Sequence, residues 1–238
     1  MAVVYLIRHG QASFGQQDYD QLSPIGERQA RIIGHHLQSF LPALDGLYSG
    51  GMVRQDRSAE IAREAMGKQP PPLRRVPAFA EYDHVALFRA YLPSYLSAPG
   101  NRANTLDELL KDNRQLEQAL RHVLASWMQG HPHQGADVQG WPEFCAGAES
   151  ALVGLLKDCA PKSRLAVFTS GGIITALLSR LLDLSAQRAL GLAISLYNAS
   201  ITQLYCPADG GIGDILLMGY NNITHLEMTG DRDLITFR

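Results

Sequence analysis

Val3-Val4-Tyr5-Leu6-Ile7-Arg8-His9-Gly10 is the stretch that decides how the rest of this chain is read. Val3 to Ile7 is β-branched, aromatic and uncharged, the composition of a strand buried on both faces. A cation, an imidazole and a glycine follow at once. In open α/β sheets, ligand sites form at the carboxyl ends of buried strands. An imidazole held there is a candidate nucleophile, and an arginine beside it is a fork for phosphate oxygens. The tripeptide alone is equally consistent with a strand end that carries a surface His and Arg, so the rest of the chain has to decide.

Working outward, strands and helices alternate. After a polar loop from Gln11 to Gln21, Ser23-Pro24 has the form of an N-cap followed by proline at the first helical position. Ile25, Ala30, Ile33 and Leu37 then share one helical face. Leu47 to Ser49 reads as a short strand broken by Gly50-Gly51, with a helix from about Met52 to Met66 whose start offers free N–H groups to an anion. Leu73 to Val76 is a further strand candidate. Leu165 to Thr169 reads as another buried strand, Ser170-Gly171-Gly172 as a tight turn, and Ile173 to Leu182 as an apolar helix. Ala199–Tyr205 and Ile215–Gly219 are joined by a link too short for a parallel crossover, so they are expected to pair antiparallel.

The pattern predicts an α/β fold in three layers, α/β/α. Its central sheet is expected to be mostly parallel with one antiparallel strand. Residues 85–159 look different: mostly helical, with a Thr105-x-x-Glu108 capping box opening a run through Leu109, Leu116, Leu120, Val123 and Trp127. We read them as a helical insertion packed on the sheet of one domain spanning 1–238.

Composition bounds the function. The chain has 238 residues, 46% hydrophobic and 18% charged, enough for a substantial core. A formal net charge of −2 argues against a nucleic-acid partner, whose footprint is basic. Cys145, Cys159 and Cys206 are odd in number and lack a CxxC spacing, so they suggest small buried hydrophobes rather than a disulfide framework or a zinc ribbon. His131 and His133 have no carboxylate or cysteine neighbours at ligand spacing and read as a solvated loop, so no metal is expected. No apolar run reaches the ~18 residues of a membrane span. With its first strand at residue 3 and no room for a leader, the chain is expected to be cytoplasmic.

Four elements share the order strand, small residue, functional group, helix: Arg8-His9-Gly10, the Gly50 to Arg54 turn, the loop carrying Glu81, and Ser170-Gly171-Gly172. With Leu22-Ser23-Pro24-Ile25-Gly26-Glu27-Arg28-Gln29-Ala30, Asn198-Ala199-Ser200-Ile201-Thr202 and Asn222-Ile223-Thr224-His225-Leu226, they resemble the histidine phosphatase superfamily, the phosphoglycerate mutase-like proteins, over nearly the whole chain. The resemblance implies that His9 is the nucleophile and Glu81 the proton donor, with Asp83 a rival acid. It implies a phosphate pocket formed by Arg8, Arg54, Ser170 and Gly171, with Arg57 competing for the role of Arg54. It also implies that no cofactor is needed.

The sequence departs from the resemblance at Ser170, where the superfamily normally carries a second pocket histidine. A serine hydroxyl donates one hydrogen bond and carries no charge. His84, His225, Thr169 or Ser170 itself could compensate. Otherwise phosphorylation of His9 is slow. The expected function is a metal-independent phosphatase acting on a phosphorylated small molecule or a phosphoprotein. The alternatives are a catalytically weakened phosphate-ligand-binding or regulatory protein, or a mutase-type phosphotransferase. No GxGxxG follows the first strand and no GxxxxGK[ST] occurs, which disfavours a dinucleotide or P-loop enzyme.

Overall fold

A computed structural model describes residues 1–13, 20–41, 43–67, 70–99, 105–133, 138–207 and 211–237. Six strands form one sheet: β1 (Ala2–Arg8), β2 (Gly46–Ser49), β3 (Leu73–Arg75), β4 (Arg164–Thr169), β5 (Ile201–Cys206) and β6 (Leu216–Asn222), in the order β3-β2-β4-β1-β5-β6. The contacts β3-β2, β2-β4 and β4-β1 are parallel, whereas β5 runs against both β1 and β6. The expected mostly parallel sheet with one antiparallel strand is therefore present, and the pair β5/β6 is antiparallel as its short link requires.

Helices cover both faces. They are α1 (Pro24–Phe40), α2 (Val53–Ala65), α3 (His84–Leu96), α4 (Leu106–Leu109), α5 (Asn113–Met128), α6 (Trp141–Asp158), α7 (Gly171–Leu181), α8 (Ala186–Ser195) and α9 (Thr224–Glu227). Side chains alternate across a strand, so a central strand feeds two cores. On β1, Tyr5 and Ile7 join Ile33 and Leu37 of α1 and Ala59 and Ala62 of α2. Val4 and Leu6 join the other core, with Ile174 and Leu177 of α7, Leu152 of α6 and Trp127 of α5. Two of the three cysteines, Cys145 and Cys206, are buried in this second core, and burial pushes both thiols up to about 12.

Two local readings change. The run from Thr105 to Trp127 is two helices, not one. Thr105 Oγ1 accepts from Glu108 N at the start of α4, but α4 ends after one turn, and the Asp112 carboxylate then caps α5 by accepting from Arg114 N and Gln115 N. A second N-cap inside an apolar periodicity restarts the helix on a new axis. The Gly171-Gly172 pair is also not a turn: it is the first turn of α7, with Ser170 at the N-cap position. The polar loops expected at Gln11 to Gln21 and Gly130 to Gly140 lie partly outside the described residues.

Among the described residues, no helix is long and apolar enough to cross a membrane. No group of three or more His, Cys, Asp or Glu residues there could hold a metal ion. His133 packs edge-on against Tyr91, with ring centroids 5.2 Å apart.

Candidate active site

The carboxyl ends of β1 and β4 lie side by side, with Arg8 opposite Thr169 in the parallel register. His9 follows β1 and keeps the ladder going: its N–H donates to Thr169 O (2.9 Å), and its carbonyl accepts from Ala199 N (3.1 Å). The next turn is made possible by two glycines. A Cβ on Gly10 would come 2.3 Å from Gly26 O, and one on Gly26 would come 2.1 Å from Gln11 O. Backbone lies on backbone where β1 passes into α1, and Ser23 caps α1 by accepting from Gly26 N (3.1 Å). The motif around Ser23 and the one around His9 therefore form one joint.

The His9 imidazole is 5% exposed. Nδ1–H donates to Gly10 O (2.7 Å), which makes Nε2 the unprotonated nitrogen. Arg54 Nε–H donates to that Nε2 at 3.1 Å. Burial, then the charges of Arg54 and Arg8, hold the imidazole pKa well below its ordinary value. The result is a neutral ring whose Nε2 lone pair meets the Arg54 guanidinium.

Arg54, on the first turn of α2, is 3% exposed. Its Nη1 pairs with Asp20 Oδ1 at 2.6 Å. Arg57 points away and meets Glu27 at 3.5 Å on the surface, so Arg54 is the residue of this pair that enters the site. Asp20 also accepts from Val53 N (2.9 Å), and so occupies the start of α2 that the sequence reading left open for an anion. Sequence reasoning missed Asp20. A polar loop has no periodicity to mark one carboxylate among several polar neighbours. Arg8 donates from Nη1 to Leu196 O at the end of α8.

Glu81 sits across the cleft. Its Oε2 accepts from Gly172 N (3.2 Å) and its Oε1 from Tyr82 N (3.3 Å). Burial pushes its pKa up, against the opposing pull of Arg54, the Gly172 N–H, Arg8 and the Tyr82 N–H. Tyr82 anchors this loop by packing on Trp127 (4.9 Å between centroids) and Phe144 (6.0 Å). The rival acid Asp83 is exposed and caps α3 through Ala86 N (2.9 Å).

A Cβ on Gly172 would meet Glu81 Oε1 at 2.0 Å and the Tyr82 ring at 2.7 Å. Gly172→Ala is therefore expected to push the Glu81 carboxyl out of place and lower turnover by roughly 10²-fold, the scale of an ångström-sized misplacement. Its thermal midpoint is expected to fall too, by the equivalent of about 1–3 kcal/mol, because the same Cβ overpacks against the Tyr82 ring. Steady-state kinetics beside a melting curve check both halves.

Ser170 is fully buried, and its Oγ accepts from Gln55 Nε2 at 2.7 Å. Gln55 also reaches Phe79 O at 3.3 Å. Thr169 spends its hydroxyl on the same Phe79 carbonyl (2.7 Å). Neither Ser170 nor Thr169 lines the cleft, whereas Gly171 and Gly172 do. Gln55 was not singled out from the sequence, because its role exists only through a residue 115 positions away.

Of the histidines named as substitutes for a second imidazole, His84 lines the cleft and is held below its ordinary pKa, first by burial and then by Arg54. His225 lies on the opposite side of the sheet, stacked on His36 at 5.1 Å. Burial pushes its pKa down to about 4, and its Nε2 hydrogen-bonds Ala199 O at 3.0 Å. Ala199 is in the left-handed region (φ 59°). Its N–H holds the His9 carbonyl while its own carbonyl takes His225. The two late motifs thus brace the backbone of His9 from behind and do not enter the site.

The lining residues bound one cavity of about 1130 Å³. Arg8, His9, Arg54, Glu81, Gly171 and Gly172 form part of its wall, and residues of α3, α4 and α5 form much of the rest.

Residues 4–87 match the model of the histidine phosphatase superfamily, branch 1. That segment carries Arg8, His9, Arg54 and Glu81, and the chain has the phosphoglycerate mutase-like fold. Among solved structures, a phosphoglycerate mutase from Bacillus anthracis superposes with a TM-score of 0.64 at 16% identity, covering 97% of each chain. A phosphoserine phosphatase from Entamoeba histolytica, in complex with phosphoserine, gives 0.62 at 18% identity, covering 95% of this chain and 100% of its own. A mycobacterial glucosyl-3-phosphoglycerate phosphatase gives 0.61 at 22%, covering 92% and 98%. At these identities the likeness is one of fold. No curated protein matches the chain in sequence.

Proposed function

We propose that this protein is a metal-independent phosphoric monoester hydrolase working through a phosphohistidine on His9. The observation that carries the reading is the His9 ring. Nδ1 is tied to Gly10 O, and Nε2 faces Arg54, with Glu81 on the same cavity wall. Nε2 attacks phosphorus and the bond to the ester oxygen breaks. The leaving alkoxide takes the proton of Glu81. Water then gives a proton to the Glu81 carboxylate and attacks phosphorus, the P–N bond breaks, and inorganic phosphate leaves. Arg8 and Arg54 hold the equatorial oxygens, where phosphoryl transfer asks for positioning and charge stabilisation. The donor that Arg54 now places on Nε2 passes to a phosphoryl oxygen when substrate enters. The test is release of phosphate from phosphomonoesters in the presence of a chelator, with acid-labile phosphate trapped on the protein.

One observation favours the second reading, a phosphate-ligand binder with weakened chemistry. Ser170 is turned to Gln55, and no imidazole stands at that position. A histidine placed there alone has to displace Gln55 from a fully buried site. Ser170→His is therefore expected to be overpacked by about 1–3 kcal/mol and to gain no activity. Gln55→Ala combined with Ser170→His removes the obstruction, and is expected to raise turnover about tenfold or more above wild type, since one added oxyanion donor is worth up to ~10²–10³. Equal rates in wild type and the double variant would mean that the site works without a second imidazole.

A further inference from the structure

The cavity is far larger than its anion end needs, and the surplus is apolar. Pockets that enclose a whole drug-sized ligand run to ~300–1,000 Å³, and this one holds about 1130 Å³. Away from Arg8, His9, Arg54 and Glu81, the wall is built by Leu92 and Leu96 of α3, Leu110 just past α4, and Leu116, Leu120 and Leu124 of α5. Among the described lining residues, charge on this arm is confined to Arg89 and to Glu117 and Arg121, which pair with each other at 2.8 Å.

Four apolar residues of the cavity lining are conspicuously open: Val85 is 46% exposed, Leu106 45%, Leu110 55% and Phe237 48%. Single exposed hydrophobics need no explanation, but several converging on one concave surface mark a binding site. The arm is continuous with the anion pocket, so one molecule can fill both.

We infer that the substrate is an amphiphile, a phosphomonoester whose alcohol carries a long apolar chain or fused apolar ring system. The phosphate lies between Arg8 and Arg54 and the apolar part lies between α3, α4 and α5. This rests on the hydrolase reading for the fate of the phosphate, but the arm makes its own claim on binding. A compact polar ester leaves the apolar wall wet, whereas an apolar chain gains up to ~0.8 kcal/mol, about fourfold in affinity, for each methylene it buries.

The experiment is calorimetric titration of the wild-type protein with non-hydrolysable alkylphosphonates from ethyl to dodecyl, below their micellar concentrations. Alkanols of matched length serve as controls. Affinity is expected to rise roughly 30-fold or more from butyl to octyl, with alkanols binding far more weakly. Leu110→Asp, at an exposed position, is expected to remove most of that length dependence while ethylphosphonate binds as before. A flat series with ethylphosphonate still bound, or alkanols binding as well as phosphonates, overturns the inference and leaves the hydrolase reading in place. A steep, phosphonate-specific series in a protein that releases no phosphate from the matched alkyl phosphates upholds the arm and overturns the hydrolase reading.

Discussion

His9→Ala is expected to abolish metal-free phosphate release, lowering kcat/KM by at least about 10⁴-fold, the scale on which removal of a nucleophile acts. The expectation follows from the division of labour in the site. The guanidiniums of Arg8 and Arg54 and the carboxyl of Glu81 can bind and polarise an ester, but the unprotonated ring nitrogen that accepts from Arg54 belongs to His9. Truncation leaves the strand ladder intact, because the His9 N–H and carbonyl bonds to Thr169 and Ala199 are backbone bonds. Inorganic phosphate is therefore expected still to raise the thermal midpoint of the variant. Turnover within about tenfold of wild type would remove His9 as nucleophile. Loss of turnover together with loss of phosphate-dependent stabilisation would point instead to collapse of the pocket.

Glu81→Gln is expected to separate substrates by their leaving groups. For alkyl phosphates, whose alkoxide needs a proton, turnover should fall by about 10²–10⁴-fold, the usual contribution of a positioned acid. For p-nitrophenyl phosphate, whose phenolate leaves unaided, the loss should be much smaller. The pH profile follows from the two shifts. His9 must be neutral, and its pKa is pushed down by burial and by the two arginines, so its limb rises at acid pH. Glu81 must be protonated, and burial raises its pKa, so activity falls as pH climbs through that value. In water the two groups titrate in the opposite order, with the carboxyl ionised before the imidazole is neutral. The site moves them toward each other, which raises the fraction of molecules in which both required forms coexist. A bell-shaped kcat/KM profile is expected on alkyl phosphates, losing its alkaline limb in Glu81→Gln. Equal losses on both substrate types, with the limb retained, would exclude Glu81 as the proton donor.

Much of the fold is legible because periodicity is a local property. Val3–Ile7 and Leu165–Thr169 carry continuous apolar runs that only a strand buried on both faces can use. Ser23-Pro24 announces α1, and the short link before β6 forces an antiparallel pair. Boundaries failed where two signals competed. Asp112 interrupts an apolar repeat that reads straight through it, and a Gly-Gly pair that suggests a turn instead opens α7.

The sequence by itself determined the sheet, its covering helices and the chemical identities at the ends of β1 and β4. Those follow from composition and spacing along the chain. Only the tertiary structure decided which of them meet. It chose Arg54 over Arg57 and Glu81 over Asp83, because one member of each pair turns into the cleft and the other is satisfied at the surface. It brought Asp20 to Arg54, Gln55 to Ser170 and Gly172 to Glu81, contacts between segments with no sequence relation to one another. It also sent His225 behind the sheet and opened an apolar arm between α3, α4 and α5. A residue's chemistry is written in the sequence. Its protonation state and its partners depend on burial and on distances of about 3 Å, which exist only once the chain has folded.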